Sequence, residues 1–187
     1  MYLWNRTGAL VAGAIGLMIA GSPAIAATTP LQGNLGSSSQ GQITISATIP
    51  ASVQLTKLSD LSFGSLDPAT ATQLTENPCV WSNTATKGYS ITATGSGASN
   101  AFTLSNGTTT LPYGVQWAGS TGQTTGTTLN PGTAATGFTS TATNPVCASG
   151  PTTTASLIVG FTTAQMQAAV GSATAYTGTL TLVVAPQ

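Results

Sequence analysis

The sequence predicts an all-β protein, a sandwich or barrel of short strands. Three observations lead there. Several short runs alternate apolar with hydroxyl-bearing residues, the period of a half-buried strand. Glycine, proline and asparagine turn signals separate those runs at short intervals. Threonine, β-branched and strand-favouring, is abundant, and only Thr163 to Val170 reads as a helical turn. No internal repeat of fixed period is visible, which argues against a solenoid.

Residues 1–26 read as a signal peptide in three parts. Arg6 makes the n-region positive, Gly8 to Gly21 is apolar, and Ala24-Ile25-Ala26 is a small-x-small cleavage site. The run is short for a membrane span of about 20 residues. The expected product is an exported chain, not an integral membrane protein. Residues 27–42, with Gly33-Asn34-Leu35-Gly36-Ser37-Ser38-Ser39, lack alternation and read as a flexible arm. Residues 43–187 are enough for a single β domain with a core of its own.

That domain opens on Ile43-Thr44-Ile45-Ser46-Ala47-Thr48-Ile49, which alternates strictly. Ile43, Ile45, Ala47 and Ile49 fall on one face. Pro50 ends the run, and Val53-Gln54-Leu55 resumes it. Leu61 to Gly64 is a further extended piece before an Asp67-Pro68 turn. Val80-Trp81 and Tyr89 to Thr94 are strand candidates. Phe102 to Ser105 and Thr108 to Leu111 flank Asn106-Gly107, a strong hairpin signal. Tyr113 to Trp117 alternates, and Ala118 to Gly137 reads as a long loop with a poorly specified strand. Ser156 to Phe161 and Tyr176 to Val184 complete the set.

Charge narrows the function. Arg6, Lys57, Lys87, Asp60, Asp67 and Glu76 are the only charged residues, and histidine is absent. Without clustered Lys and Arg, nucleic acid is not an expected partner. Without a group titrating near neutrality, an enzyme is not expected either, nor any cofactor. Asp60, Asp67 and Glu76 could form a calcium site or a carboxylate pair, but their spacing matches no calcium loop and turn roles explain them. No serine has the motif of an activated nucleophile. Cys79 and Cys147 are an even pair in an exported chain and read as a disulfide, with no histidine or third cysteine to complete a metal site. Asn106-Gly107-Thr108 matches a glycosylation sequon, although the hairpin accounts for it. Trp81 and Trp117, with Tyr89, Tyr113 and Tyr176, could stack on a sugar, or could pack as core and cross-strand pairs.

Three segments carry a resemblance. They are Gln42 to Ile49, Leu61-Ser62-Phe63-Gly64-Ser65-Leu66, and Tyr176-Thr177-Gly178-Thr179-Leu180-Thr181-Leu182-Val183-Val184. With them the chain resembles a chaperone–usher pilin, of the spore coat protein U-like and archaic or alpha-type fimbrial subunits. It departs in having no cysteine soon after the first strand and in ending Val184-Ala185-Pro186-Gln187. The resemblance implies an immunoglobulin-like sandwich lacking one strand, completed by a strand donated from a neighbour. It also implies a periplasmic chaperone, an outer-membrane usher, and copies of itself or related subunits as partners. Ile43, Ile45, Ala47 and Ile49 would be the exchanged face, although the same strand could instead belong to its own sandwich. The expected function is structural, a surface fimbria acting in adhesion or biofilm formation, reached through the periplasm. The alternative is a monomeric secreted sandwich that binds carbohydrate or another surface ligand through Trp81 or Trp117.

Overall fold

The computed structural model of the chain describes residues 29–187, so the signal peptide expected at 1–26 lies outside the described residues. The chain divides into two units, the boundary falling between Thr48 and Ile49.

In the first unit Leu31 and Gln42 form an isolated antiparallel bridge, each N–H donating to the other's carbonyl at 3.0 Å. Residues 43–49 belong to no strand, contrary to the expectation from their alternation. Alternation favours an extended backbone, but a strand also needs a neighbouring ladder, which alternation alone does not supply. Ile43, Ile45 and Ile49 are 70%, 85% and 85% exposed.

The second unit, Ile49–Gln187, is all-β and built as a sandwich. Its strands are β1 (Val53–Thr56), β2 (Thr72–Glu76), β3 (Cys79–Ser82), β4 (Gly88–Gly95), β5 (Thr103–Ser105), β6 (Thr110–Pro112), β7 (Gly114–Ala118), β8 (Thr127–Thr128), β9 (Ala134–Thr139), β10 (Ser156–Phe161) and β11 (Leu180–Pro186). One helix, α1 (Thr163–Ala168), follows β10. One antiparallel sheet runs β2-β10-β7-β8 and another β11-β4-β9, while β1 pairs with β3 and β5 with β6.

Period-two patterning decides which side chains meet. In β4, Tyr89, Ile91 and Ala93 point one way and are fully buried. On the same face the register sets Val184 opposite Ile91 and Leu182 opposite Ala93. In β7, Val115 and Trp117 are buried. Strand β10 reads Ser-Leu-Ile-Val-Gly-Phe and buries both faces, with Leu157 and Val159 on one and Ile158 on the other. Its near-continuous apolar run suits its place between β2 and β7. Each such side chain contributes roughly 1.5–3 kcal/mol when fully buried.

Cys79 and Cys147 form the expected disulfide, Cα atoms 6.1 Å apart, with Ala142 and Trp81 packed against it. Closing 68 residues of chain in this way stabilises the fold by about 4 kcal/mol on the chain-entropy account. Nearby, Thr154 stitches β3 to the chain before β10. Its Oγ1 accepts from Val80 N at 2.8 Å and donates to Val80 O at 3.0 Å. Gly95 ends β4 where only glycine fits, since a Cβ there would lie 2.1 Å from the carbonyl oxygen of Ala101.

Several expectations need correction. The β5–β6 loop is four residues, 106–109, because Ser105 pairs with Thr110. The Asn106 side chain caps the turn from within and takes up two residues otherwise expected in the second strand. The final strand begins at Leu180, and Thr177 makes only an isolated bridge to Ser105. Leu61 to Gly64 forms no strand. Strand β2 was not anticipated, because Thr-Gln-Leu-Thr-Glu has a single strongly apolar residue, as befits an edge. The helical turn at Thr163 is present and starts with a capping box: Gln165 N–H donates to Thr162 Oγ1, and Thr162 N–H to Gln165 Oε1.

Candidate strand-accepting groove

The feature that stands out in the second unit is an apolar trough beside β11. Strand β11 is the edge of its sheet, paired only with β4. Its inward residues Leu180, Leu182 and Val184 face the core, yet all three remain half-buried. The partners of Leu182 and Val184 on β4, Ala93 and Ile91, are fully buried. The difference lies in what flanks them, since among the described residues no strand pairs with the outer edge of β11.

Across from β11 the wall is the segment Leu58–Leu66, where Leu61, Phe63 and Leu66 turn inward and the residues between them face solvent. The floor comes from β10 through Leu157, Val159 and Phe161. Phe63 packs edge-to-face on Phe161 with centroids 4.8 Å apart. Tyr113 meets Phe161 at 6.3 Å and stacks on Phe102 at 5.7 Å. Burial holds the Tyr113 phenol above its ordinary pKa of 10.0. Two cavities share Leu61, Phe63, Leu104 and Phe161 and so form one trough, of about 550 Å³ toward β11 and about 790 Å³ toward Met166 and Tyr176. Among the described residues Asp60 is the only charged side chain on its lining. A shape like this admits an uncharged extended segment that offers apolar side chains at alternate positions.

The sequence-derived candidates scatter. Ile43, Ile45, Ala47 and Ile49 are exposed. Trp117 is fully buried and donates its Nε1–H to Tyr89 Oη at 3.1 Å. That leaves no indole face for a sugar, which corrects the expectation for this residue. Burial raises the Tyr89 pKa more than the Trp117 hydrogen bond lowers it. Trp81 is half-buried against the disulfide. Asp67 caps its own turn, its carboxylate accepting from Ala69 N–H at 2.9 Å and from the Thr70 hydroxyl at 3.2 Å. Lys57 Nζ donates to the carbonyls of Thr152 and Cys147, and Lys87 Nζ to that of Ala142. Among the described residues no group of three or more His, Cys, Asp or Glu side chains could hold a metal ion. No helix among them is long and apolar enough to cross a membrane.

Sequence reasoning found Leu61, Phe63, Leu180 and Leu182 as members of extended pieces but did not bring them together. The trough depends on which sheet edge stays open, and that is a property of pairing across the whole chain. No protein-family model and no curated protein matches the chain.

Proposed function

We propose that this protein is a structural subunit of a surface fimbria, exported through the periplasm and assembled by strand exchange. The trough of one copy receives residues 43–49 of the next. The observation that carries this reading is a complementarity within one sequence. The half-buried row Leu180, Leu182, Val184 lies along an unpaired edge. Another segment offers Ile43, Ile45, Ala47 and Ile49 at the same spacing, uncharged and largely exposed. Insertion pairs main-chain groups with β11 and buries the isoleucines against Leu61, Phe63 and β10. Three isoleucines taken fully out of water contribute on the order of 5 kcal/mol or more. A surface with so little charge suits a subunit whose work is association. A chaperone that covers the trough in transit and an outer-membrane usher belong to this proposal, as does a role in adhesion or biofilm formation.

Material sheared from the surface of the native cell, run in detergent with and without boiling, tests it. A ladder of multiples that collapses to one band on boiling supports strand exchange. A single monomer band in both lanes refutes it.

A further inference from the structure

We propose that Asn106 is a self-modifying residue, held in a turn that promotes conversion of its side-chain amide to a carboxylate. The turn 106–109 gathers donors on one atom. Asn106 Oδ1 accepts from Thr108 N at 3.0 Å and Thr109 N at 2.8 Å, and from the hydroxyls of Thr108 and Thr109 at 3.1 Å each. Two backbone N–H groups require an oxygen at that position, which fixes the orientation of the amide. The Thr109 hydroxyl is shared. Tyr176 gives its only hydrogen to Val170 O at 2.7 Å, so the Thr109 hydroxyl, 2.7 Å away, must also serve Tyr176. Three donors therefore remain dedicated to Oδ1.

Such a cluster does for Asn106 what an oxyanion hole does for an acyl substrate. It draws electrons from Cγ and stabilises negative charge that develops on Oδ1. The nucleophile is adjacent. Gly107 N attacks Cγ, and the new N–Cγ bond closes a five-membered succinimide. The proton on Gly107 N leaves through Ser105 Oγ, which already accepts that N–H at 3.0 Å and opens onto solvent. As the tetrahedral centre collapses, the Cγ–Nδ2 bond breaks, and the nitrogen takes up a proton and departs as ammonia. Water then opens the ring and leaves a carboxylate at position 106, in the ordinary or the β-linked backbone. The balance is one water consumed and one ammonia released, with no change of oxidation state.

Gly107 suits the role. Its φ of +95° is one that L side chains rarely adopt, and it carries no Cβ to crowd the turn. No other asparagine in residues 29–187 precedes a glycine, and Asn77, Asn130 and Asn144 precede prolines, which have no N–H to lose. The product adds an acid to a domain whose only acids are Asp60, Asp67 and Glu76. It does so one residue from the Ser105–Thr177 bridge at the rim of the trough. The inference does not depend on strand exchange.

The test compares the mature chain, disulfide intact, in neutral buffer and in the same buffer with urea. Peptide mapping by mass spectrometry follows the amide-to-acid change at Asn106 and separates the normal from the β-linked product. The folded chain should convert several-fold faster than the unfolded one. Thr108→Val, which removes one hydroxyl donor, should slow the folded chain about tenfold and leave the unfolded rate alone. Equal or slower conversion in the folded chain, or no effect of Thr108→Val, overturns the proposal and makes the turn a protective clamp.

Discussion

Lys57 donates an ammonium N–H to the main-chain carbonyl of Cys147 at 3.1 Å, so one of the chain's two lysines pins the loop that carries the disulfide. A second bond reaches Thr152 O at 2.7 Å. Both partners sit in the left-handed region, with φ of +61° at Lys57 and +48° at Cys147, and such conformations cost energy that surrounding contacts must offset. The loop between β9 and β10 is thereby held from β1 by charge-assisted bonds and from β3 by sulfur.

Lys57→Met keeps the aliphatic stem and removes the donors. It should lower the stability of the oxidised domain by about 1 kcal/mol. Urea unfolding followed by tryptophan fluorescence measures it. An unchanged midpoint would show that water replaces the ammonium at no net cost.

Ile45→Asp addresses assembly. Ile45 is 85% exposed, so the substitution should leave the urea midpoint of the single chain within about 0.5 kcal/mol of the parent. In the trough the same carboxylate would be desolvated without a partner, at a cost of several kcal/mol. Boiling-sensitive multimers should therefore vanish while the monomer stays folded. Loss of folding would instead place residues 43–49 inside the parent's own domain.

Tyr89 and Tyr113 set the alkaline limit. Burial raises both phenols above 10.0 in the folded state. The stability linked to them is complete below pH 10. It falls as the pH climbs past 10, because the unfolded chain then releases protons that the folded chain retains. Urea midpoints taken on either side of pH 10 should show that fall. Tyr113→Phe should flatten it, and a slope unchanged by the substitution would assign the alkaline loss to other groups.

Thr56 Oγ1 in β1 is buried and has no hydrogen-bond partner among the described residues. Thr56→Val keeps the shape and removes the unsatisfied hydroxyl. The variant should gain about 1 kcal/mol in urea unfolding. A loss would mean that the hydroxyl is solvated at that site.

Most strands were legible because period two survives wherever one face is buried. Tyr89-Ser90-Ile91-Thr92-Ala93 and Tyr113-Gly114-Val115-Gln116-Trp117 show it plainly. Ser156 to Phe161 was legible as an apolar run. Strand β2 was not, because an edge strand buries little and its composition is free to be polar. The Cys79–Cys147 bond followed from an even cysteine count in a chain expected to be exported. The trough was hidden for a different reason. Leu61 and Leu182 lie far apart in sequence, and no local pattern states that the outer edge of β11 stays unpaired. Trp117 was ambiguous until Tyr89 Oη was found beside its Nε1, since an alternating aromatic looks the same in a core and in a ligand platform.

Strand order also has a temporal side. β10 takes its place between β2 and β7, and β11 pairs with β4, so the last strands in sequence close sheets whose other members come much earlier. Until β10 and β11 arrive, Val115 and Ile91 lack the partners Val159 and Val184 that lie opposite them. Pairings this distant in sequence favour slow folding, with apolar surface open to solvent in the interval.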